Sequence, residues 1–415
     1  MKVCALALAA TSILLASGQR LTPTVLRAQS DFESVQMAPR PRIQVAQACI
    51  QSQAAALALS PPAEQSLLYY REGYCAFAGA AATGDHRQFL DAAAAFDRAI
   101  EAWPAPAPKS TRHTAPEPVV PAALRAFAAI ARLQAATGAA MPVAARREIA
   151  AALESSSGNS YLMPAAFCAA LLSAASQWLG WSALLANQLD DAARLFAGPP
   201  DSGWSAWVQG RRDFASARYA AAAAQYAAAI DRWRQIWQGE GPTLPQALAP
   251  RPQFPPALAD WGAARLLAGD LPGAILTLDA SIQADSANPH ALFLRARAKE
   301  LAGRTEEALA DYNLASRTAF AGARDLASGE AHLYRGILLY RRQDFARAEE
   351  EFSSALNFEM TGALRPDARA WRHLAAVAGG SCGAARQSLD LALAAVSPFF
   401  PQAEARSLAS ACGGA

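Results

Sequence analysis

Between Trp261 and Leu356 one arrangement of small and bulky residues occurs three times, and it constrains the fold more than any other feature of the chain. A small residue is followed twelve positions later by Ala, four further by a large apolar residue, and three further by another small one. The sets are Gly262, Ala274, Leu278, Ser281; then Ala296, Ala308, Tyr312, Ala315; then Gly336, Ala348, Phe352, Ala355. Neighbouring Ala anchors lie 34 (308 − 274) and 40 (348 − 308) residues apart. Periods of this size mark stacked supersecondary units. Offsets of four and three place the last three residues of each set on one helical face. Two helices cross closely only where side chains are small, and the bulky residue then fills the space beside the contact. Each set therefore predicts a helical hairpin. Its turn falls at Ala268-Gly269-Asp270, Ala302-Gly303-Arg304 or Arg342-Gln343-Asp344. Gly suits the residue after a helix C-terminus, and Asp270 and Asp344 suit the N-cap of the helix that follows.

These residues resemble the tetratricopeptide repeat family. The likeness lies in Ala308-Leu309-Ala310-Asp311-Tyr312-Asn313 with Ala315, and in Tyr334-Arg335-Gly336 with Ala348, Phe352 and Ala355. It departs from that family at Ala296, where Gly is usual, in six extra residues after Ala315, and in the missing Pro after Leu356. The resemblance implies an all-α fold, a right-handed α-α superhelix of such hairpins.

The rest of the chain fits around this block. Lys2 and the apolar run 3–16, followed by Ala16-Ser17-Gly18, have the pattern of a signal peptide over 1–18. Residues 19–42 carry Thr, Ser, Gln and three Pro with no helical stripe, and read as a flexible leader. An N-terminal block of tetratricopeptide-like helices is expected over 43–238. Its degenerate first repeat contains Gly73, Ala92, Phe96 and Ala99, and a Pro-rich loop interrupts it at 103–121. The ladder returns as Gly180, Ala192, Phe196 and as Gly210, Ala222, Tyr226, Ala229. No charge occurs from Ser155 to Leu189, but Ser173, Ser176, Gln177 and Ser182 break the apolar run, so it reads as a buried repeat helix and not a membrane span. A second Pro-rich stretch, 239–256, is expected as a linker or surface loop. The C-terminal block, 257–412, ends with a hairpin over 371–396 and a closing helix from Gln402 to Cys412.

Composition agrees with an all-helical chain. It is 53% hydrophobic and 17% charged, with a net charge of +2 that implies no nucleic-acid partner. Without the signal, five cysteines remain, and in an oxidising compartment these suggest two pairs and one free thiol. Cys49 and Cys75 flank the Ser60-Pro61-Pro62 turn, Cys382 and Cys412 bracket the last hairpin, and Cys168 sits in the charge-free helix. Gly379-Gly380-Ser381-Cys382-Gly383 matches a nucleophile elbow, but a helix precedes it where the elbow requires a strand. His86, His113, His290, His332 and His373 have no ligand spacing, and no phosphate loop or dinucleotide fingerprint occurs. The chain is read as a non-enzyme with no cofactor and no metal.

Binding is what remains. In tetratricopeptide arrays the first helices line a concave groove, at positions six and three before the small anchor and one and four after it. Carried over, the resemblance implies a stripe of Trp204, Trp207, Arg211 and Phe214, then His290, Phe293 and Arg297, with Tyr340 beyond. The favoured function is a scaffold for protein–protein interaction or complex assembly in the bacterial cell envelope, periplasmic or secreted, with a peptide or helix in the groove. The alternative is an envelope accessory protein that binds a glycan or small ligand there, on the Trp residues.

Overall fold

The computed structural model describes residues 22–103, 122–136, 143–154, 165–197, 202–238, 241–318, 326–358, 360, 364–397 and 400–412. Every regular element among them is a helix. The expected signal 1–18, residues 104–121 of the Pro-rich loop and the side chain of Cys168 lie outside the described residues. Two compact units divide the chain: Met1–Val208 with Asp231–Arg251, and Gln209–Ile230 with Pro252–Ala415. The division differs from the expected boundary at 239–256, and it cuts through two helices.

The first unit opens with α1 (Pro23–Met37), α2 (Ile43–Leu57), α3 (Pro62–Thr83) and α4 (His86–Glu101). It continues with α5 (Ala122–Ala135), α6 (Val143–Glu154), α7 (Ala165–Leu185) and α8 (Leu189–Phe196). Each helix lies against the next. The core is aromatic. Phe127 on α5 sits 4.2 Å from Phe96 on α4 and 5.0 Å from Phe77 on α3, ring centre to ring centre. Tyr74 adds edge contacts to Phe32 and Phe127. Cys49 on α2 and Cys75 on α3 lie at bonding distance, with Sγ atoms 2.09 Å apart.

Helix α1 corrects the expectation of a flexible leader over 19–42. Thr22 caps it by accepting from the Val25 N–H, and Pro23 stands at its first turn, where a missing N–H is harmless. Ala28, Phe32 and Val35 are buried at steps of four and three, so one narrow stripe docks the helix. The many polar residues between them hide that stripe.

The second unit takes the C-terminal part of α9 (Trp204–Ala215) and the N-terminal part of α10 (Tyr219–Trp237). After these come the pairs α12 (Phe254–Leu267) with α13 (Leu271–Ala284) and α14 (Pro289–Leu301) with α15 (Thr305–Arg317). The pairs α16 (Leu326–Arg341) with α17 (Phe345–Ala355) and α18 (Leu364–Ala378) with α19 (Gly383–Ala392) follow, and α20 (Gln402–Ala411) closes the unit. The short α11 (Leu244–Ala247) belongs to the first unit. The closing helix buries Ala405 and Ala409 beside Trp371 and Phe400. Cys382 and Cys412, 1.97 Å apart, tie its end to the α18–α19 turn.

From Gly180 to Gly336 the repeat ladder has one geometry. A methyl placed on Gly180, Gly210, Gly262 or Gly336 would strike Phe196, Tyr226, Leu278 or Phe352 at 2.5–2.9 Å. Each of those residues follows its glycine by sixteen positions (196 − 180, 226 − 210, 278 − 262, 352 − 336). The missing side chain is thus the space that the next helix's bulky residue fills. Seven positions after each small anchor the backbone turns left-handed, at Asn187, Ala217, Gly269, Gly303 and Gln343. The Gly269 turn shows why. Gly269 and Asp270 N–H groups bond back to the Leu266 and Arg265 carbonyls, which ends α12 in a single residue. The Ser381 turn is the same kind of helix stop: Gly380 is left-handed at φ 94°, with a helix on either side.

Candidate binding surface

The expected groove stripe on α9 is only partly open. Trp204 and Trp207 belong to the first unit and are buried, at 5% and 6% exposure. Trp204 stacks on Phe196 at 5.6 Å and leans on Trp233 at 4.7 Å, while Trp207 lies 5.1 Å from the same Trp233. Both therefore hold helices of the first unit together. The residue that covers them, Trp233, comes from α10, which runs 19 residues against 14 in α13 and 13 in α15.

In the second unit the stripe divides in the same way. Phe293 is buried between Tyr312 and Tyr334, and Tyr340 is buried against Phe345 and Trp371 with its hydroxyl donating to Glu404. Phe214 is half-buried against Tyr219. The charged members stay accessible. Arg211 is 38% exposed and pairs with Asp260 at 3.5 Å. Burial pushes the Asp260 carboxyl above its ordinary range, and the charges of Arg211 and His290 pull it back. His290 is exposed. Arg297 lies over the Tyr334 ring at 4.2 Å and pairs with Glu300, whose carboxylate also accepts from the Tyr312 hydroxyl at 2.7 Å. What remains open is thus a polar, mixed-charge strip, with Arg211, Asp260 and His290 brought together from α9, α12 and α14.

The stretch expected as a surface loop or linker at 239–256 is in large part internal to the first unit. Leu244, Ala247 and Leu248 are buried at 7%, 2% and 0% exposure. Thr243 and Gln246 form a reciprocal cap on α11. Around it the backbone carbonyls are taken by side-chain donors from three helices and a connection. The Gln134 amide donates to the Ala247 and Ala249 oxygens at 2.9 and 2.7 Å. The Trp178 and Trp204 indoles donate to the Leu248 and Pro250 oxygens at 2.9 and 3.1 Å. Arg40 donates to the Gly241 oxygen at 3.0 Å. A segment with four prolines among 242–252 has few N–H groups and many carbonyls, so donors must come from outside it.

Beside this strap the first unit contains a cleft of about 320 Å³. Its walls mix apolar and polar residues, among them Ala170 and Ser173 of α7, Trp204 of α9, Arg232 and Trp237 of α10, and Gln246 of the strap. Gln177 lines it too, at 6% exposure, and its carboxamide oxygen has no hydrogen-bond partner among the described residues.

The hairpin geometry decides the fold: a small anchor, a left-handed residue seven positions on, and a bulky residue at sixteen that fills the space over the anchor. The chain is an array of tetratricopeptide-type hairpins. No family model matches the sequence, and no curated protein matches it. Solved tetratricopeptide structures do. TTC0263, a thermophilic TPR protein of Thermus thermophilus, is 18% identical, with a TM-score of 0.33 over 51% of this chain and 98% of its own. Yeast Tom70 is 10% identical, with a TM-score of 0.39 over 93% of this chain and 91% of its own. The APC/C hetero-tetramer Cut9-Hcn1 is 13% identical, with a TM-score of 0.42 over 93% and 92%.

Within this array, residues of the candidate surface that the periodicity did not point to are Gln134, Gln177, Trp178 and Trp233. Trp233 did leave a signal, because Arg232-Trp233-Arg234-Gln235-Ile236-Trp237 continues a helix well past the Ala229 at which a tetratricopeptide hairpin ends. The glutamines left none, since a buried amide is indistinguishable in sequence from an exposed one. Among the described residues no cluster of His, Cys, Asp and Glu could hold a metal, and no helix is long and apolar enough to cross a membrane.

Proposed function

We propose that this chain is a polypeptide-binding scaffold of the bacterial cell envelope, which holds partner segments on the inner faces of its tetratricopeptide-type hairpins. The observation that carries the reading is the strap. The first unit holds a Pro-rich stretch of its own chain, turned at the short α11, by donating five side-chain hydrogen bonds to its carbonyls, a mode that depends on main chain and not on side-chain identity. In the second unit the open strip of Arg211, Asp260 and His290 supplies charge-assisted donors and acceptors for a second contact. Export is supported by the signal-like pattern of 1–18 and by two cysteine pairs at bonding distance, which suit an oxidising compartment. The alternative of a glycan held on tryptophan faces has less support, because Trp204 and Trp207 are enclosed by other rings.

The test is a cross-linked pull-down from envelope extract with wild-type protein and with Arg211→Ala, His290→Ala. A partner recovered by the wild type and reduced about tenfold by the double substitution, at unchanged helicity, supports the scaffold. Recovery of the same proteins at equal yield by both would sink the assignment to this strip. N-terminal sequencing of the exported protein is expected to begin near Gln19.

A further inference from the structure

An arginine keeps its charge wherever it is placed, so a buried one is normally paired with an acid. Arg71 on α3 is not. It is 4% exposed, its Nε has no hydrogen-bond partner, and its guanidinium makes no ion pair among the described residues. What it meets is the Phe32 ring of α1, 5.2 Å from the guanidinium carbon to the ring centre. The Glu33 carboxylate acts on it through its charge, and accepts a hydrogen bond from the Gln29 amide at 3.0 Å instead. Burial pushes the Arg71 pKa down, against the pull of Tyr70 and Glu33.

Helix α1, which supplies that ring, is held by few contacts. The stripe of Ala28, Phe32 and Val35 docks it, and the Gln53 amide donates to its Ala28 carbonyl at 2.5 Å. The carboxamide oxygens of Gln29 on α1 and Gln53 on α2 are buried with no partner among the described residues, as is the Arg71 Nε. The chain leaves α1 through Ala38-Pro39-Arg40-Pro41-Arg42, where the prolines have no N–H to bond. Arg40 fastens this connection to the Gly241 carbonyl at 3.0 Å. Beneath α1, the Cys49 and Cys75 pair joins α2 to α3 independently of it.

We propose that Arg71 binds a carboxylate of another polypeptide, and that α1 is the lid over this site, lifting about the Pro39-Arg40-Pro41 connection. With α1 away, Arg71 is presented beside the Tyr70 and Tyr74 rings, which in the closed form lie 6.2 and 5.3 Å from Phe32. Arginine and tyrosine are residue types that anchor interfaces. Charge selects the occupant. The two oxygens of one carboxylate match the guanidinium fork, with one negative charge for one positive. A doubly charged phosphate would exceed that single cation and be repelled by Glu33. The closed form leaves Arg71 unpaired and the open form lets a ligand pair it, so an acidic ligand draws the equilibrium toward opening. This site goes beyond the strip of Arg211, Asp260 and His290, and stands or falls without it.

The test is amide hydrogen exchange of the full chain with three peptides: acetyl-(Ala-Glu)₄-amide, its neutral counterpart acetyl-(Ala-Gln)₄-amide, and acetyl-(Ala-Gln)₄ with a free C-terminus. Millimolar glutamate peptide is expected to raise exchange within α1 about tenfold while α3 to α5 stay protected. A rise with the free C-terminus alone would also support the site and assign it to a chain end. Arg71→Met keeps the apolar stem and removes the unpaired charge. It should slow exchange of α1 severalfold, leave the melting temperature equal or higher, and abolish the response to peptide. Should that variant fail to fold, the charged and neutral peptides on wild-type protein decide alone. An equal response to the neutral peptide, a response to inorganic phosphate in place of either carboxylate, no response of α1, or one that survives in Arg71→Met would each overturn the proposal. The scaffold reading fails separately, if the Arg211, His290 variant recovers partners as the wild type does.

Discussion

Gly336 tests the hairpin geometry most directly. An added methyl there would lie 2.6, 2.8 and 3.0 Å from three carbons of the Phe352 ring. Comfortable carbon contacts begin at about 3.5 Å, so the ring must retreat by close to 1 Å. It has nowhere to go, because Phe352 is fully buried and stacks on Trp371 at 5.9 Å. Overpacking of this kind costs about 1–3 kcal/mol. Against it stands the gain of about 0.5–1 kcal/mol that Ala brings over Gly inside a helix. The clash wins, and Gly336→Ala is expected to destabilise the protein by about 1 kcal/mol. Gly383→Ala is the control: a methyl there meets nothing within 4 Å, and the substitution should be neutral or stabilise by a few tenths. The decisive measurement is a double-mutant cycle in urea, read by circular dichroism. Phe352→Ala removes the obstructing ring, so Gly336→Ala in that background should cost nothing, a coupling of about 1–2 kcal/mol. Strict additivity of the two substitutions would refute the close-crossing account of the repeats.

The enclosure of the α9 tryptophans predicts that Trp207→Ala costs about 3–5 kcal/mol, whereas Arg211→Ala, which breaks one half-exposed ion pair, costs less than about 1 kcal/mol; equal losses in melting would count against it. Non-reducing peptide mapping of protein from the periplasm should find Cys49 joined to Cys75 and Cys382 to Cys412. Removing the first pair should cost about 3 kcal/mol in the chain-entropy model, and thiols fully alkylatable without reductant would contradict both. Ala217, left-handed at φ 57°, holds a conformation that disfavours a β-carbon by about 1–2 kcal/mol, so Ala217→Gly should raise stability by up to about 1 kcal/mol in the same urea assay; a loss would argue against the turn.

How much of this was legible in the sequence depends on how local the decisive contact is. Gly262 and Leu278, or Gly336 and Phe352, meet across one short turn, so the spacing of sixteen carries the whole contact and could be read directly. The cysteine pairs were legible for the same reason, since each spans adjacent helices and one turn. The binding stripe was not. Whether Trp204 and Trp207 are surface or core depends on Trp233, far along a different helix, and on a strap that returns to the Trp204 indole from position 250. Periodicity gives the face of a helix but not what that face meets. Helix α1 was missed for a third reason: Ala28, Phe32 and Val35 form too thin a stripe to stand out among polar residues, although Thr22-Pro23 was a sound start signal.

The strap raises the question of what sets its path, and two kinds of contact compete for the answer. Leu244 and Leu248 are buried, and a fully buried leucine contributes about 1.5–3 kcal/mol, so together they contribute about as much as the five hydrogen bonds, at about 0.5–1.5 kcal/mol each. Apolar burial is not directional, however, and a leucine can occupy a pocket with the backbone displaced by several ångströms. Donors at Gln134, Trp178 and Trp204 that reach the carbonyls of 247, 248, 249 and 250 fit one register only. Leu248→Ala should therefore cost about 2–5 kcal/mol and lower the stability of the first unit as a whole. Gln134→Leu should act differently. It strands two buried carbonyls, costs about 1–3 kcal/mol, and raises amide hydrogen exchange within 244–249 while α3 to α5 stay protected. Unchanged exchange in that segment would mean that leucine burial alone fixes the strap, and carbonyl capture would then lose its place as the model for how this chain holds polypeptide.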